Sequence, residues 1–258
     1  MIVRTPEERE GIIEAGRRLG VVLSEVAKIV APGVSTADLD ILAEKLIREG
    51  GDVPAFLDYT PERGVRPYPA TLCVSINNEV VHGIPNEAPR ILEEGDIVAL
   101  DLGLIHKGFV TDSALTVAVG EVSDEAKRLM QVTAKSLEDA IVAARPGNRI
   151  GDISHATEAA FKGSGFSVVK VLGGHGVGSA VHEEPWISNV GTPGTGPEIV
   201  EGMVLALEPI ANAGKASVIL APDGYTYRSK DGSISAHFEH TILVEKEKTL
   251  VITRRPGE

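Results

Sequence analysis

Apolar residues recur at helical spacing from Ile12 and Ile13 through Leu19, Val22 and Leu23 to Val30, the period that gives a helix one buried face. Thr5 followed by Pro6 marks its start, with a capping hydroxyl and a proline at the first helical position. Pro32-Gly33 stops the pattern. Ser35 or Thr36 caps a second helix over 37–48, which Gly50-Gly51 ends. The plan then repeats. Ser123 with Asp124 and Glu125 opens a helix running to Ala144, Pro146-Gly147 breaks it, and a further helix over about 152–162 ends at Gly163 and Gly165. Strand patterns follow each helix pair, at 72–76, 97–105, 109–119, 168–172, 204–209, 218–221 and 235–245. Strands gathered in one layer and helices in another predict an α+β domain.

Two internal matches sharpen the repeat. Pro32-Gly33-x-x-x-x-Asp38-Leu39 aligns with Pro146-Gly147-x-x-x-x-Asp152-Ile153. Residues 94–101, Glu-Gly-Asp-Ile-Val-Ala-Leu-Asp, align with residues 201–208, Glu-Gly-Met-Val-Leu-Ala-Leu-Glu. Repeats of this length indicate a duplicated domain rather than a solenoid. We expect one domain over 1–258 built from halves of about 1–121 and 122–258. Each copy of the second motif ends an apolar run with a carboxylate, Asp101 or Glu208. An acid at the end of a buried strand is costly unless something neutralises it, so matched acids suggest two halves converging on a shared cation.

A second acid strengthens this. A turn between His106 and Lys107 would pair the flanking strands and set Asp101 opposite Asp112, with Cβ atoms about 4.5–5.5 Å apart. Facing carboxylates repel, and a divalent cation removes the conflict. The competing reading, two solvated acids, sits poorly with the apolar run 97–100 ahead of Asp101.

Of the seven histidines, His175 lies in Gly173-Gly174-His175-Gly176-Val177-Gly178, where glycines let backbone approach closely. No helix signal or phosphate-loop lysine follows, which argues against a nucleotide site. His182 precedes Glu183-Glu184-Pro185, and His82 sits in Val80-Val81-His82-Gly83-Ile84-Pro85. In Ala236-His237-Phe238-Glu239-His240, strand parity turns His237 and Glu239 to one side. His106 reads as a turn residue and His155 as part of a polar helix face. The candidate ligands are therefore Asp101, Asp112, His175, Glu208 and Glu239. This oxygen-rich set suits two divalent ions, with Mn, Fe, Co and Zn all compatible. Such a pair holds a bridging hydroxide at neutral pH, which points to metal-assisted hydrolysis.

Composition narrows the setting. The chain of 258 residues is 43% hydrophobic with a formal net charge of −12, which speaks against a nucleic-acid surface. Cys73 is the one cysteine, so no intrachain disulfide forms and a reducing compartment fits. The opening residues lack a signal-peptide apolar core, and no apolar run reaches the ~18 residues of a membrane span. A cytoplasmic protein with no membrane contact is expected.

Taken together, Asn77-x-Glu79-Val80-Val81-His82-Gly83-Ile84-Pro85, the Asp101/Asp112 pair, Gly174-His175-Gly176-Val177-Gly178, His182-Glu183-Glu184-Pro185, Gly202-Met203 through Glu208-Pro209, and Phe238-Glu239-His240-Thr241 resemble the methionine aminopeptidase family in its short bacterial type I form. The resemblance covers nearly the whole chain. It implies a pita-bread fold, a pseudo-twofold α+β domain whose central antiparallel sheet is backed by helices. The implied activity is removal of the initiator methionine from nascent polypeptides when the second residue is small. By the family pattern Asp112 and Glu239 bridge two ions, Asp101 chelates one, and His175 with Glu208 completes the other. Glu208 also shuttles a proton. His182 contacts the substrate carbonyl, and His82 the scissile amide side. Nascent N-termini, at the ribosome or free of it, would be the partners, and the protein would act as a monomer.

The methionine pocket departs from the family more than the metal set does. Tyr68-Pro69-Ala70-Thr71-Leu72-Cys73 resembles the pocket segment, with Tyr68 and Cys73 placed to touch a thioether. The segment 60–67, including Val65, lacks the usual aromatic. Val181 stands where phenylalanine is common, Tyr225 replaces a frequent tryptophan, and His237 a frequent glutamine. His237 is expected to tune Glu239 or a water at the metals. Two rivals remain in view: an X-Pro peptidase of the same fold, which carries a large extra N-terminal domain, and a binding protein that has lost catalysis, which would lack ligand residues.

Overall fold

The structure, a computed structural model, describes residues 1–60 and 66–258. Val65 therefore lies outside the described residues. Helix α1 (Pro6–Lys28) starts at a reciprocal cap. The Thr5 hydroxyl accepts from the Glu8 N–H at 3.1 Å, and the Glu8 carboxylate accepts from the Thr5 N–H at 3.2 Å. Ser35 caps α2 (Thr36–Glu49) and Ser123 caps α3 (Asp124–Ala143). Helix α4 (Ile150–Ala159) begins ahead of the expected Asp152 because that residue occupies the third helical position, its carboxylate accepting from the Arg149 N–H at 2.7 Å. It also stops short of Lys162. Beyond Ala159 the chain tightens, with the Phe161 N–H bonded to Glu158 O at 3.1 Å.

The strands, among the described residues, are β1 (Val53–Pro54), β2 (Leu72–Ile76), β3 (Glu79–Val81), β4 (Ile97–His106), β5 (Phe109–Ala118), β6 (Ser167–Val168), β7 (Gly173–Gly176) and β8 (Glu183–Ser188). They continue with β9 (Val204–Leu207), β10 (Ile210–Asn212), β11 (Val218–Leu220), β12 (Tyr227–Ser229), β13 (Ser235–His237), β14 (Glu239–Val244) and β15 (Thr249–Val251). One antiparallel sheet runs β1-β4-β5-β14-β9-β7-β8, with β2 also on β4 and β15 on β14. Two small sheets, β13-β10-β6 and β11-β12-β3, flank it. Each helix pair backs one part of the large sheet. Leu19, Leu23 and Ile47 of α1 and α2 pack on Leu72, Leu100 and Leu102. Leu137, Ile141 and Ile153 of α3 and α4 pack on Leu205, Ile242 and Val244. This is the expected α+β, pita-bread architecture.

Three expectations are corrected. The β4–β5 register pairs His106 with Phe109, so Asp112 faces Gly103 and Asp101 faces Ala114. The turn is Lys107-Gly108, both with positive φ (49° and 87°), the two-residue hairpin geometry that matches strand twist. Asp101 and Asp112 are thus diagonal rather than opposite, yet parity keeps them on one face. His106 is the buried last residue of β4, its Nδ1 2.6 Å from Asp52 Oδ1. Finally, the expected strand 235–245 divides at Phe238, and the expected 168–172 shrinks to Ser167–Val168.

The segment entering the site from α2 is fixed by a buried acid. The Asp40 carboxylate accepts from the Thr71 and Leu72 N–H groups at 2.8 and 2.9 Å, and from the Asn86 side-chain amide at 3.3 Å. These bonds hold the start of β2, and with it Tyr68 and Cys73, against the body of the domain.

Candidate metal centre

Five neighbouring strands each deliver one candidate ligand. Asp101 comes from β4, Asp112 from β5, Glu239 from the first position of β14, Glu208 from the residue after β9, and His175 from β7. Register explains the convergence. Ala114 pairs with Asp101 on one side and with Glu239 on the other, so those two acids share a row across three strands. His175 pairs with Ala206, two positions ahead of Glu208 on the same strand path. Close packing of β7 demands its glycines. A Cβ on Gly174 would stand 2.3 Å from Ala206 O, and one on Gly176 2.3 Å from Glu184 O.

The seam between β5 and β14 carries a short ladder, and hydroxyls complete it. The Ser113 hydroxyl donates to Glu239 O at 2.8 Å. Thr241 Oγ1 donates to Asp112 O at 2.7 Å and accepts from the Asp112 N–H at 3.0 Å. Thr116 Oγ1 likewise donates to His237 O and accepts from the His237 N–H, both at 2.9 Å. The backbones of Asp112, His237 and Glu239 are thereby tied together.

Ligand atoms of Asp112, His175 and Glu239 lie within 4.8 Å of one another. Glu208 Oε1 is 3.6 Å from His175 Nε2, and Asp101 lines the same cavity of about 350 Å³. Asp101, Asp112, His175 and Glu239 are buried, and Glu208 is the most open, with 15% of its side chain exposed. Burial pushes the Asp101 carboxyl up to about 7. Burial, followed by neighbouring carboxylates, pushes Asp112, Glu208 and Glu239 well above the usual carboxylate range. Desolvation holds the imidazoles neutral, His175 at about 3 and His237 at about 3.

The donor set fits divalent cations. Among the described residues, Asp101 Oδ1, Asp112 Oδ1, Glu239 Oε1 and both ring nitrogens of His237 are buried without a hydrogen-bond partner. Such orphans are costly in a folded protein. Four carboxylates around neutral imidazole supply the charge and hard oxygen atoms that divalent cations take up.

The remaining predicted residues border the same cavity. His82 and His182 line it, as do Tyr68, Cys73, Val181 and Tyr225. Tyr68 and Tyr225 meet edge to face with centroids 5.0 Å apart, and the Tyr68 hydroxyl donates to Gly83 O at 2.9 Å. His82 holds a left-handed backbone, φ 59°. The next residue must be small, because a Cβ on Gly83 would stand 2.2 Å from Val74 O. Burial, with a smaller contribution from His182, lowers the His82 imidazole to about 4. His182 stands at the exposed mouth, its ring 4.5 Å from that of His175 and its Nδ1 2.8 Å from the Tyr59 hydroxyl. Sequence reasoning missed Phe56, Tyr59, Leu220 and Tyr227, which also line the cavity. Phe56 and Tyr59 supply an aromatic wall just upstream of the segment found to lack one. They lie in an irregular stretch with Asp58 at φ 63°, where no periodicity signals burial.

Residues 10–246 match metallopeptidase family M24. The chain is 42% identical over 254 residues to methionine aminopeptidase 1 of Bacillus subtilis, spanning 98% of this chain and 99% of that one. Its fold is similar to the crystal structure of methionine aminopeptidase from Thermotoga maritima, with a TM-score of 0.93, 40% identity, and coverage of 99% of this chain and 100% of that chain. An Xaa-Pro dipeptidase from Bacillus anthracis shares the fold at a TM-score of 0.75 and 24% identity, but this chain spans 63% of it. Among the described residues no helix is long and apolar enough to cross a membrane.

Proposed function

The chain belongs to metallopeptidase family M24 and to its methionine aminopeptidases, and from that membership we propose that it removes the N-terminal methionine of nascent polypeptides when the second residue is small. It is a metal-dependent hydrolase of the aminopeptidase kind. The observation that carries the site assignment is the meeting, along five adjacent strands, of one imidazole with three buried carboxylates and the half-buried Glu208. Asp101, Asp112, His175, Glu208 and Glu239 would hold two divalent cations. When bound, such cations supply a nucleophilic water at neutral pH and a Lewis-acid contact for the scissile carbonyl.

The chain's own groups do the rest. Glu208, raised above the usual carboxylate range and open to the cavity, takes a proton at its carboxylate oxygen and returns it to the leaving amine. His182 Nδ1 lies 2.8 Å from the Tyr59 hydroxyl; in the tautomer that accepts this bond its proton sits on Nε2, where it would be donated to the carbonyl oxygen as negative charge develops. His82, neutral and beside the cavity, hydrogen-bonds the amide side of the bond. Tyr68, Cys73 and Tyr225 receive the methionine side chain, whose thioether packs well on aromatic rings. The 1–121 and 122–258 halves act as one catalytic domain. Free Cys73, the sole cysteine, supports a cytoplasmic setting, and the protein works as a monomer on emerging N-termini. Cobalt, manganese, iron and zinc all suit the donor set.

The test is turnover of Met-X-Ser peptides by metal-reconstituted protein. Met-Ala-Ser should be cleaved, and kcat/KM should fall at least about 100-fold when X is leucine, because a tight pocket discriminates by 1–3 kcal/mol for even one methylene. A Gly-Pro dipeptide should be left intact. Cleavage of Gly-Pro in preference to Met-Ala-Ser would instead assign the chain to proline-specific chemistry.

A further inference from the structure

We propose that His237 is an additional metal ligand, an imidazole on the ion held by Glu208 and Glu239. The inference rests on the metal-centre reading above and extends it to a residue outside the five ligands. His237 ends β13, is 2% exposed, and lines the cavity. Its Nε2 stands 3.7 Å from Glu208 Oε2 and 3.8 Å from Glu239 Oε2, and neither ring nitrogen has a hydrogen-bond partner among the described residues. Those separations exceed hydrogen-bond range, so neither carboxylate satisfies the ring directly. They lie close to the ~3–3.6 Å that separates two donors bound to one ion at about 2.0–2.2 Å each. Glu208 is thus flanked by imidazole nitrogens on both sides, His175 at 3.6 Å and His237 at 3.7 Å. The ring's place is not accidental, since its backbone is clamped to Thr116 by two hydrogen bonds of 2.9 Å.

A second imidazole changes the chemistry of the centre. Five ligands with a single nitrogen favour hard, oxygen-seeking ions. Adding a nitrogen raises affinity for cobalt, nickel and zinc relative to manganese.

The test compares the parent, His237→Gln and His237→Ala, each stripped of metal and titrated with cobalt or manganese. Binding, the cobalt visible spectrum and pulsed EPR of bound manganese are followed. Loss of an imidazole ligand should weaken cobalt binding by at least about tenfold, manganese binding by less, and change the cobalt bands. The EPR nitrogen signal should fall from two imidazoles to one. If His237→Ala fails to fold, the near-isosteric His237→Gln carries the measurement, with melting of the metal-free proteins as control. Unchanged cobalt affinity and spectrum in a folded variant would overturn the inference while leaving the five-ligand centre intact. A parent that binds no metal, or binds it equally well after His175→Ala, would overturn both.

Discussion

Asp112→Asn should melt at a higher temperature than the parent when both are metal-free at neutral pH, yet lose metal binding and nearly all activity. The reason is the concentration of buried acid. Asp101, Asp112, Glu208 and Glu239 all have folded pKa values raised by burial, and mutual repulsion adds to this for the last three. In the unfolded chain carboxylates titrate near 4. Below that pH both states hold their protons and titration of the cluster makes no difference to stability. As pH rises the unfolded chain releases protons first, so the metal-free fold loses stability through the window from about 4 to the Asp101 value of about 7, and further as the more strongly raised groups ionise. Divalent ions replace those protons and should flatten the slope. An asparagine has no carboxyl to protonate on folding, and the metal-free melting temperature should rise by about 2–4 °C per kcal/mol of that cost removed. The same change removes one of the proposed metal ligands, and turnover should drop at least about a thousandfold, the equivalent of several kcal/mol of lost transition-state stabilisation. Calorimetry with and without chelator across pH 5–8 reads the first effect, and metal analysis the second. A variant that melts lower without metal and keeps its metal would contradict the account.

His182→Ala should cut kcat by about 10²–10³-fold, the usual cost of removing one donor to a developing oxyanion, while metal content stays at the parent level. His82→Ala should act in the same direction, by about 10²-fold or more, but its left-handed φ of 59° complicates the substitution, since alanine tolerates that region poorly. His82→Asn serves better, because asparagine accepts the left-handed conformation. Loss of metal from these variants would reassign His82 or His182 as a ligand. Neither ring carries a charge that the reaction needs to discard, since burial already holds His82 near 4.

Much of this was visible in the chain. Helix starts were legible because caps are local: Thr5-Pro6, Ser35 and Ser123 each act on residues within one turn. The acids Asp101 and Glu208 stood out because an apolar run ending in a carboxylate is a local contradiction that only tertiary structure resolves. Register was less legible. The choice between a turn at His106-Lys107 and one at Lys107-Gly108 depends on backbone twist, and the error made Asp101 and Asp112 direct rather than diagonal neighbours. The glycine-rich segment around His175 forms strand β7 although glycine is a poor strand former, because neighbouring backbone comes too close for any side chain. Short strands such as β3, β10 and β12 owe their existence to long-range pairing and leave little periodic trace. Tyr59 reaches His182 across 123 positions of sequence, a contact that no local pattern announces.

Strands from both parts of the chain should bring Asp101, Asp112, His175, Glu208 and Glu239 around a common pair of divalent ions. Anomalous diffraction from crystals of the cobalt- or manganese-loaded protein, recorded at the metal edge, tests it most directly. The account predicts two adjacent peaks inside the cavity, with Asp112 and Glu239 contacting both. Strong peaks elsewhere, or none within reach of these five side chains in metal-saturated crystals, would contradict it.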